Sequence, residues 1–174
     1  MDLVIKLVGK TPYVWWHADE PTAESDAPFY CLRIPPIEYI QDKGCNCAGV
    51  INLLQLSRGL PIPGMKTKHY YAGGTFAWHN YLKTAGALER VDIHKEYPAG
   101  SLLLRQYRSG DDQGHLAVLY TSGKLLEQKL LHCYSKVGIT IDDTVAFSHA
   151  WDVNGYYEFI CPNWFAADLA VPEA

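Results

Sequence analysis

The run Asn46-Cys-Ala-Gly-Val-Ile-Asn-Leu-Leu-Gln-Leu-Ser-Arg-Gly-Leu-Pro-Ile-Pro63 constrains this chain more than any other segment. Asn46 is a good N-cap, Gly59 a good C-cap, and Pro61 and Pro63 prevent continuation, so Cys47 to Arg58 reads as a helix. Val50, Ile51, Leu53, Leu54 and Leu56 cover most of its circumference and leave a narrow polar strip at Asn52 and Gln55. A helix apolar on nearly every side must be buried, so the rest of the chain has to wrap around it.

The C-terminal two thirds of the chain supply the wrapping. A second helix is predicted from about Thr75 to Ala85, ending near Gly86. Strand patterns then run over Ser101 to Tyr107, His115 to Tyr120, Leu125 to about His132, and Tyr156 to Cys161. Ser122-Gly123 and Asn154-Gly155 read as hairpin turns. A short helix is expected from Ile141 to about His149, capped by Thr140. Residues 18 to 44, rich in Pro, Asp and Glu, read as an irregular surface excursion. Helices first and strands later predict an α+β class, with helices packed on one side of an antiparallel sheet. The 174 residues fit one domain spanning 1–174, large enough to fold without disulfides or a metal.

Composition narrows the function. A net charge of -4 offers no basic footprint, so no nucleic-acid partner is expected. No stretch approaches the ~18 to 20 uncharged apolar residues of a membrane span. The first residues, MDLVIKLVGKTPYVWWH, lack the pattern of a secretory signal. The 5 cysteines are an odd number, and with no signal they are expected as reduced thiols in a cytoplasm-like compartment.

A nucleophilic thiol needs a site that lowers its pKa, a base, and donors for an oxyanion. Cys47 begins a helix, where unpaired N–H groups and the macrodipole favour a thiolate. Its own backbone N–H is the expected oxyanion donor. Ala48 and Gly49 keep the first turn small, which leaves room for a substrate carbonyl. Cys45 lies outside the helix and lacks that advantage. His115 opens a strand, held by the sheet yet near its end, as suits a general base. If Ser122-Gly123 is a two-residue turn, His115 faces Leu130 and His132 is its diagonal neighbour. Diagonal side chains on one face lie about 7–8 Å apart, so His132 is placed to orient the base. A three-residue turn would send the two to opposite faces.

These residues fall in blocks that resemble the NlpC-type cysteine peptidases, a family best known for bacterial cell-wall endopeptidases. Gly9-Lys-Thr-Pro-Tyr-Val-Trp15 is similar to the family's opening G-x-P-Y-x-W-G-G. Asn46-Cys-Ala-Gly-Val50 is similar to its D-C-S-G-hydrophobic nucleophile block. Pro98-Ala-Gly-Ser-Leu-Leu103 with Gly114-His-Leu-Ala-Val118 resembles its P-G-D-L … G-H-V base block, and Leu131-His132 its hydrophobic-His pair. The resemblance runs from residue 9 to residue 132. It implies a papain-like α+β fold and a Cys47–His115–His132 triad needing no cofactor. It also implies that Tyr13 lines the site near the oxyanion, and that the bond cut is the γ-D-glutamyl amide of peptidoglycan stem peptides.

The chain departs from the pattern in places that bear on substrate. Asn46 stands where the family has an Asp that holds the free amine of the stem peptide. Trp15-Trp16 and His17 replace most of a small Trp-Gly-Gly run, and Ser101 replaces a structural Asp. Relatives in the wider superfamily are amidases or lipid acyltransferases, so an ester or lipid substrate is the alternative. Two further classes compete: a tetrahedral zinc site drawn from Cys45, Cys47, His115, His132 and Cys133, and an inactive groove-binding module. For an enzyme on peptidoglycan fragments, delivery with a phage or viral particle is an alternative to a cytoplasmic location.

Overall fold

The computed structural model describes residues 2–15, 28–64, 72–109, 111–135, 137–145 and 157–165. The predicted central helix is there: α3 spans Cys47–Ser57. Asn46 caps it, its side-chain oxygen accepting from the Gly49 N–H at 2.8 Å, and Gly59 follows its end at φ 70. Val50, Ile51, Leu53 and Leu54 are buried, each worth about 1.5–3 kcal/mol against exposure. The polar strip is buried too, and Asn52 is a clamp. Its Nδ2 donates to Phe29 O at 2.8 Å and Gly73 O at 3.1 Å, and its Oδ1 accepts from Trp78 Nε1 at 2.9 Å. One amide thus ties α3 to three other segments, which satisfies the polar atoms that burial would otherwise strand.

Three more helices pack in this layer among the described residues: α1 (Asp2–Leu7), α2 (Ile37–Lys43) and α4 (Thr75–Thr84). α4 matches the predicted second helix. α2 corrects the reading of residues 18 to 44 as irregular: 37–43 are helical, and Tyr30 is fully buried with its hydroxyl donating to Gly44 O. Residues 18–27 lie outside the described residues.

The strands are β1 (Glu89–Arg90), β2 (Glu96–Tyr97), β3 (Leu102–Arg105), β4 (His115–Leu119), β5 (Gly123–Lys124), β6 (Lys129–Tyr134), β7 (Gly138–Asp143) and β8 (Phe159–Cys161). Six form one antiparallel sheet in the order β1-β8-β3-β4-β6-β7, and β2 pairs with β5. The molecule is α+β, as its element order predicts. Strand alternation divides the buried residues. Leu102, Leu104, Leu116, Val118, Leu131 and Cys133 pack in the core with α3 and α4. Leu103, Ala117, Leu119, Leu130 and Ile160 form a second core with Tyr97, Leu125 and Tyr157. No helix among the described residues is long and apolar enough to cross a membrane.

Two local expectations fail. Ser122-Gly123 is not a tight hairpin: Gly123–Lys124 is a strand paired with β2, followed by a short 3-10 helix at Leu125–Glu127. Buried Leu125 and Gln128 anchor the connection, with Gln128 Nε2 donating to Tyr97 O at 2.5 Å. Val118 therefore pairs with Leu131, four residues beyond the expected partner. Four is even, so every side chain keeps its face. The second failure is the helix from Ile141 to His149. Gly138–Asp143 is β7, paired with β6 from Lys129↔Asp143 to Tyr134↔Gly138. The run Ile139-Thr-Ile favours a pleated surface, Ile139 is buried, and pairing overrides the cap-like Thr140. Residues 146–149, Asn154-Gly155 and Tyr156 lie outside the described residues.

Candidate active site

Cys47 is the first residue of α3 and is partly exposed. The segment before it is pinned on both sides. Cys45 N donates to Pro12 O and Val14 N to Cys45 O, each at 2.9 Å, which makes a parallel bridge between Tyr13 and Cys45. Cys133 Sγ donates to Cys45 O at 3.2 Å from β6. Tyr13 is thereby held beside the start of α3, its ring 6.3 Å from that of Trp15. Cys45 itself is fully buried, and burial pushes its thiol well above the ordinary range. It belongs to the core.

The small first turn of α3 has a packing reason. A Cβ on Gly49 would collide with the Pro28 carbonyl and come within 2.7 Å of Cys45 Sγ. Gly49 makes room for the neighbouring backbone.

Burial pushes the Cys47 thiol up to about 12, and the nearby Cys133 thiol adds to the rise. The amides of Leu116, Ala48 and Cys47 itself pull the other way. The expectation of a lowered thiol pKa is corrected: desolvation outweighs the helix terminus. The Leu116 amide is the only one of the three outside the first turn of α3. Leu116 directly follows His115 on β4, and the β4–β6 register comprises Val118↔Leu131 and Leu119↔Leu130. Leu116 packs in the core on the α3 side of the sheet, whereas His115, in phase with Ala117 and Leu119, lies against Tyr157 with ring centroids 5.8 Å apart.

His115 is buried and begins β4 after Gly114, whose φ of 78 puts it in the left-handed region. A Cβ on Gly114 would strike the Arg105 carbonyl on the neighbouring strand, so glycine alone brings His115 to this position. His115 Nε2 lies 3.1 Å from His132 Nδ1, with the two rings nearly perpendicular. His132 is fully buried, and its Nε2 lies 2.9 Å from Asp142 Oδ2 on β7. The other Asp142 oxygen accepts from Thr140 Oγ1 at 3.3 Å. Burial, then the His132 and Arg105 charges, pushes His115 well below the ordinary imidazole range. Burial lowers His132 too, against the opposing pull of Asp142. At neutral pH both imidazoles are uncharged.

Sequence reasoning placed Cys47, His115, His132 and Tyr13 in one region; the structure puts His115 and His132 in contact and bridges Tyr13 to Cys45, two residues before Cys47. Asn46 is also there, but its side-chain oxygen is the helix cap. Sequence reasoning missed Asp142. The signal was the alternation in Gly138-Ile-Thr-Ile-Asp-Asp143, which as a strand opposite His132 puts Thr140 and Asp142 on one face. Ser101 is structural: its hydroxyl donates to Pro98 O at 2.7 Å and accepts from Asn163 N at 3.4 Å. The zinc arrangement does not assemble, since among the described residues no three His, Cys, Asp or Glu side chains are disposed around a common point. His79 packs on Phe159, and Cys161 is buried with its thiol pushed up to about 11. Trp16, His17, His69 and His149 lie outside the described residues.

No family model matches the chain, and no curated protein or solved structure matches it either. The site's own geometry carries the functional reading.

Proposed function

We propose that this chain is a cysteine hydrolase acting on an amide bond, with Cys47 as nucleophile and His115 as base. One observation carries the reading. The Leu116 amide, next in sequence to His115, is among the groups that favour the Cys47 thiolate, and His115 heads a buried line of polar groups through His132. His132 engages Nε2 of His115, so Nδ1 is the nitrogen that receives the thiol proton. As the sulfur bonds to the substrate carbonyl carbon, its proton passes to Nδ1, and the Cys47 N–H accommodates the oxyanion with Tyr13 beside it. Collapse expels the amine, which takes the proton from the imidazolium and leaves a thioester. Water then attacks the thioester, His115 accepts the water's proton, and the acid leaves as the thiol is restored.

A thiol near 12 and a depressed imidazole make the resting pair neutral, so proton transfer accompanies attack rather than preceding it. This is serine-triad logic applied to sulfur. By the family resemblance, the substrate class is the γ-D-glutamyl amide of peptidoglycan stem peptides. The capped Asn46 favours a second reading within the same chemistry. A neutral amide committed to the helix cannot hold a free amine by charge, which suits an ester or lipid acyl donor. The deciding experiment incubates the protein with purified peptidoglycan fragments beside acyl-ester and lipid substrates, followed by mass spectrometry. Cleavage or acyl transfer by the native chain and none by Cys47→Ala is expected. Equal turnover by both proteins would remove the thiol from the chemistry.

A further inference from the structure

We infer that Asp142 is a positioning residue that sets the proton arrangement of the whole line, and through two imidazoles decides which nitrogen His115 offers as base. The inference rests on the hydrolase reading for its consequence, though not for its geometry. A carboxylate can only accept, so the His132 nitrogen 2.9 Å from Asp142 Oδ2, Nε2, must carry the proton. A neutral imidazole holds one N–H, so His132 Nδ1 is then an acceptor. His115 Nε2, 3.1 Å away, must donate to it. His115 is neutral as well, which makes its Nδ1 the basic nitrogen. Each step is fixed by counting protons, and each fails if the carboxylate is removed.

The surroundings fit this task. His132 is fully buried, while the Asp142 side chain is about one third exposed (34%), so the line of polar groups ends at the edge of the buried region. Thr140, paired with His132 across β6 and β7, donates to the other carboxylate oxygen and fixes the rotamer. Orienting partners of this kind are what hold a histidine in one tautomer in other polar sites.

Histidine side-chain 15N NMR on the full chain near neutral pH tests this without any substrate. The native protein is expected to show both His115 and His132 protonated at Nε2. In Asp142→Ala, His132 is expected to move its proton to Nδ1, forcing His115 Nε2 to accept and its proton to Nδ1. Asp142→Glu, which keeps an acceptor, is expected to restore most of the native pattern. Backbone amide shifts in the same samples report whether each variant is folded. On the substrate found active, Asp142→Ala is expected to lower kcat about 10- to 100-fold with little change in KM, the range for orienting partners of a functional histidine. Native tautomers in folded Asp142→Ala would overturn the inference while leaving the Cys47 reading intact. Shifted tautomers together with a fully active Cys47→Ala would sustain the inference and overturn Cys47 as the nucleophile.

Discussion

Cys47 stands on a helix whose start and stop are set by neighbouring residues in the chain, whereas His115, His132 and Asp142 come from three strands and meet only in the finished sheet. At the helix end, Asn46 caps, Gly49 yields space and the thiol remains protonated because burial outweighs three amides. At the strand end, His115 Nε2 meets His132 Nδ1 and His132 Nε2 meets Asp142, so the line ends at a partly exposed carboxylate. A helix terminus alone therefore does not make a thiol reactive. On the proposed mechanism, activation has to come from the sheet.

The largest expected effect separates the two neighbouring thiols. Cys47→Ala is expected to abolish turnover with the circular dichroism spectrum unchanged, while Cys45→Ala retains turnover in whatever fraction folds. A dead Cys45→Ala beside an active Cys47→Ala would reverse the assignment. Next comes the sheet. His115→Ala is expected to lower kcat by at least ~10², the low end for loss of a general base. An unchanged rate constant would take His115 out of the mechanism.

The contrast in protonation makes a smaller and graded prediction. With the thiol near 12, alkylation of Cys47 by iodoacetamide is expected to rise roughly tenfold per pH unit between neutrality and pH 9, because only the thiolate reacts. A rate already level at neutral pH would mean a preformed thiolate and a helix end that suffices by itself. The smallest effect belongs to the cap. Asn46→Ala removes the acceptor of the Gly49 N–H and is expected to cost about 1 kcal/mol in thermal or denaturant unfolding. No loss of stability would show that the cap does not hold the start of α3.

Legibility in the sequence divides along the same line. The cap, the apolar circumference and the stop at Gly59 are local, and they specified α3 to within one residue. His115 and His132 were placed on one face because strand alternation has a period of two, and a register error of four leaves it unchanged. Asp142 was hidden because Thr140 followed by acidic residues mimics a helix start, and only pairing with β6 reveals a strand. The fate of Gly49 was equally non-local, since Pro28 lies far away in the chain. A raised thiol pKa depends on how deeply the assembled sheet buries the sulfur, a quantity no spacing encodes.

Catalysis by this site requires that the Cys47 sulfur and the His115 imidazole be neighbours. Treating the native protein with 1,3-dibromoacetone at mildly alkaline pH tests that adjacency directly, because its three-carbon bridge joins only groups close in space. Peptide mass spectrometry is expected to find one intramolecular bridge between Cys47 and His115, absent from His115→Ala. A Cys47 that reacts at one end only, or is bridged to a different residue, would contradict it.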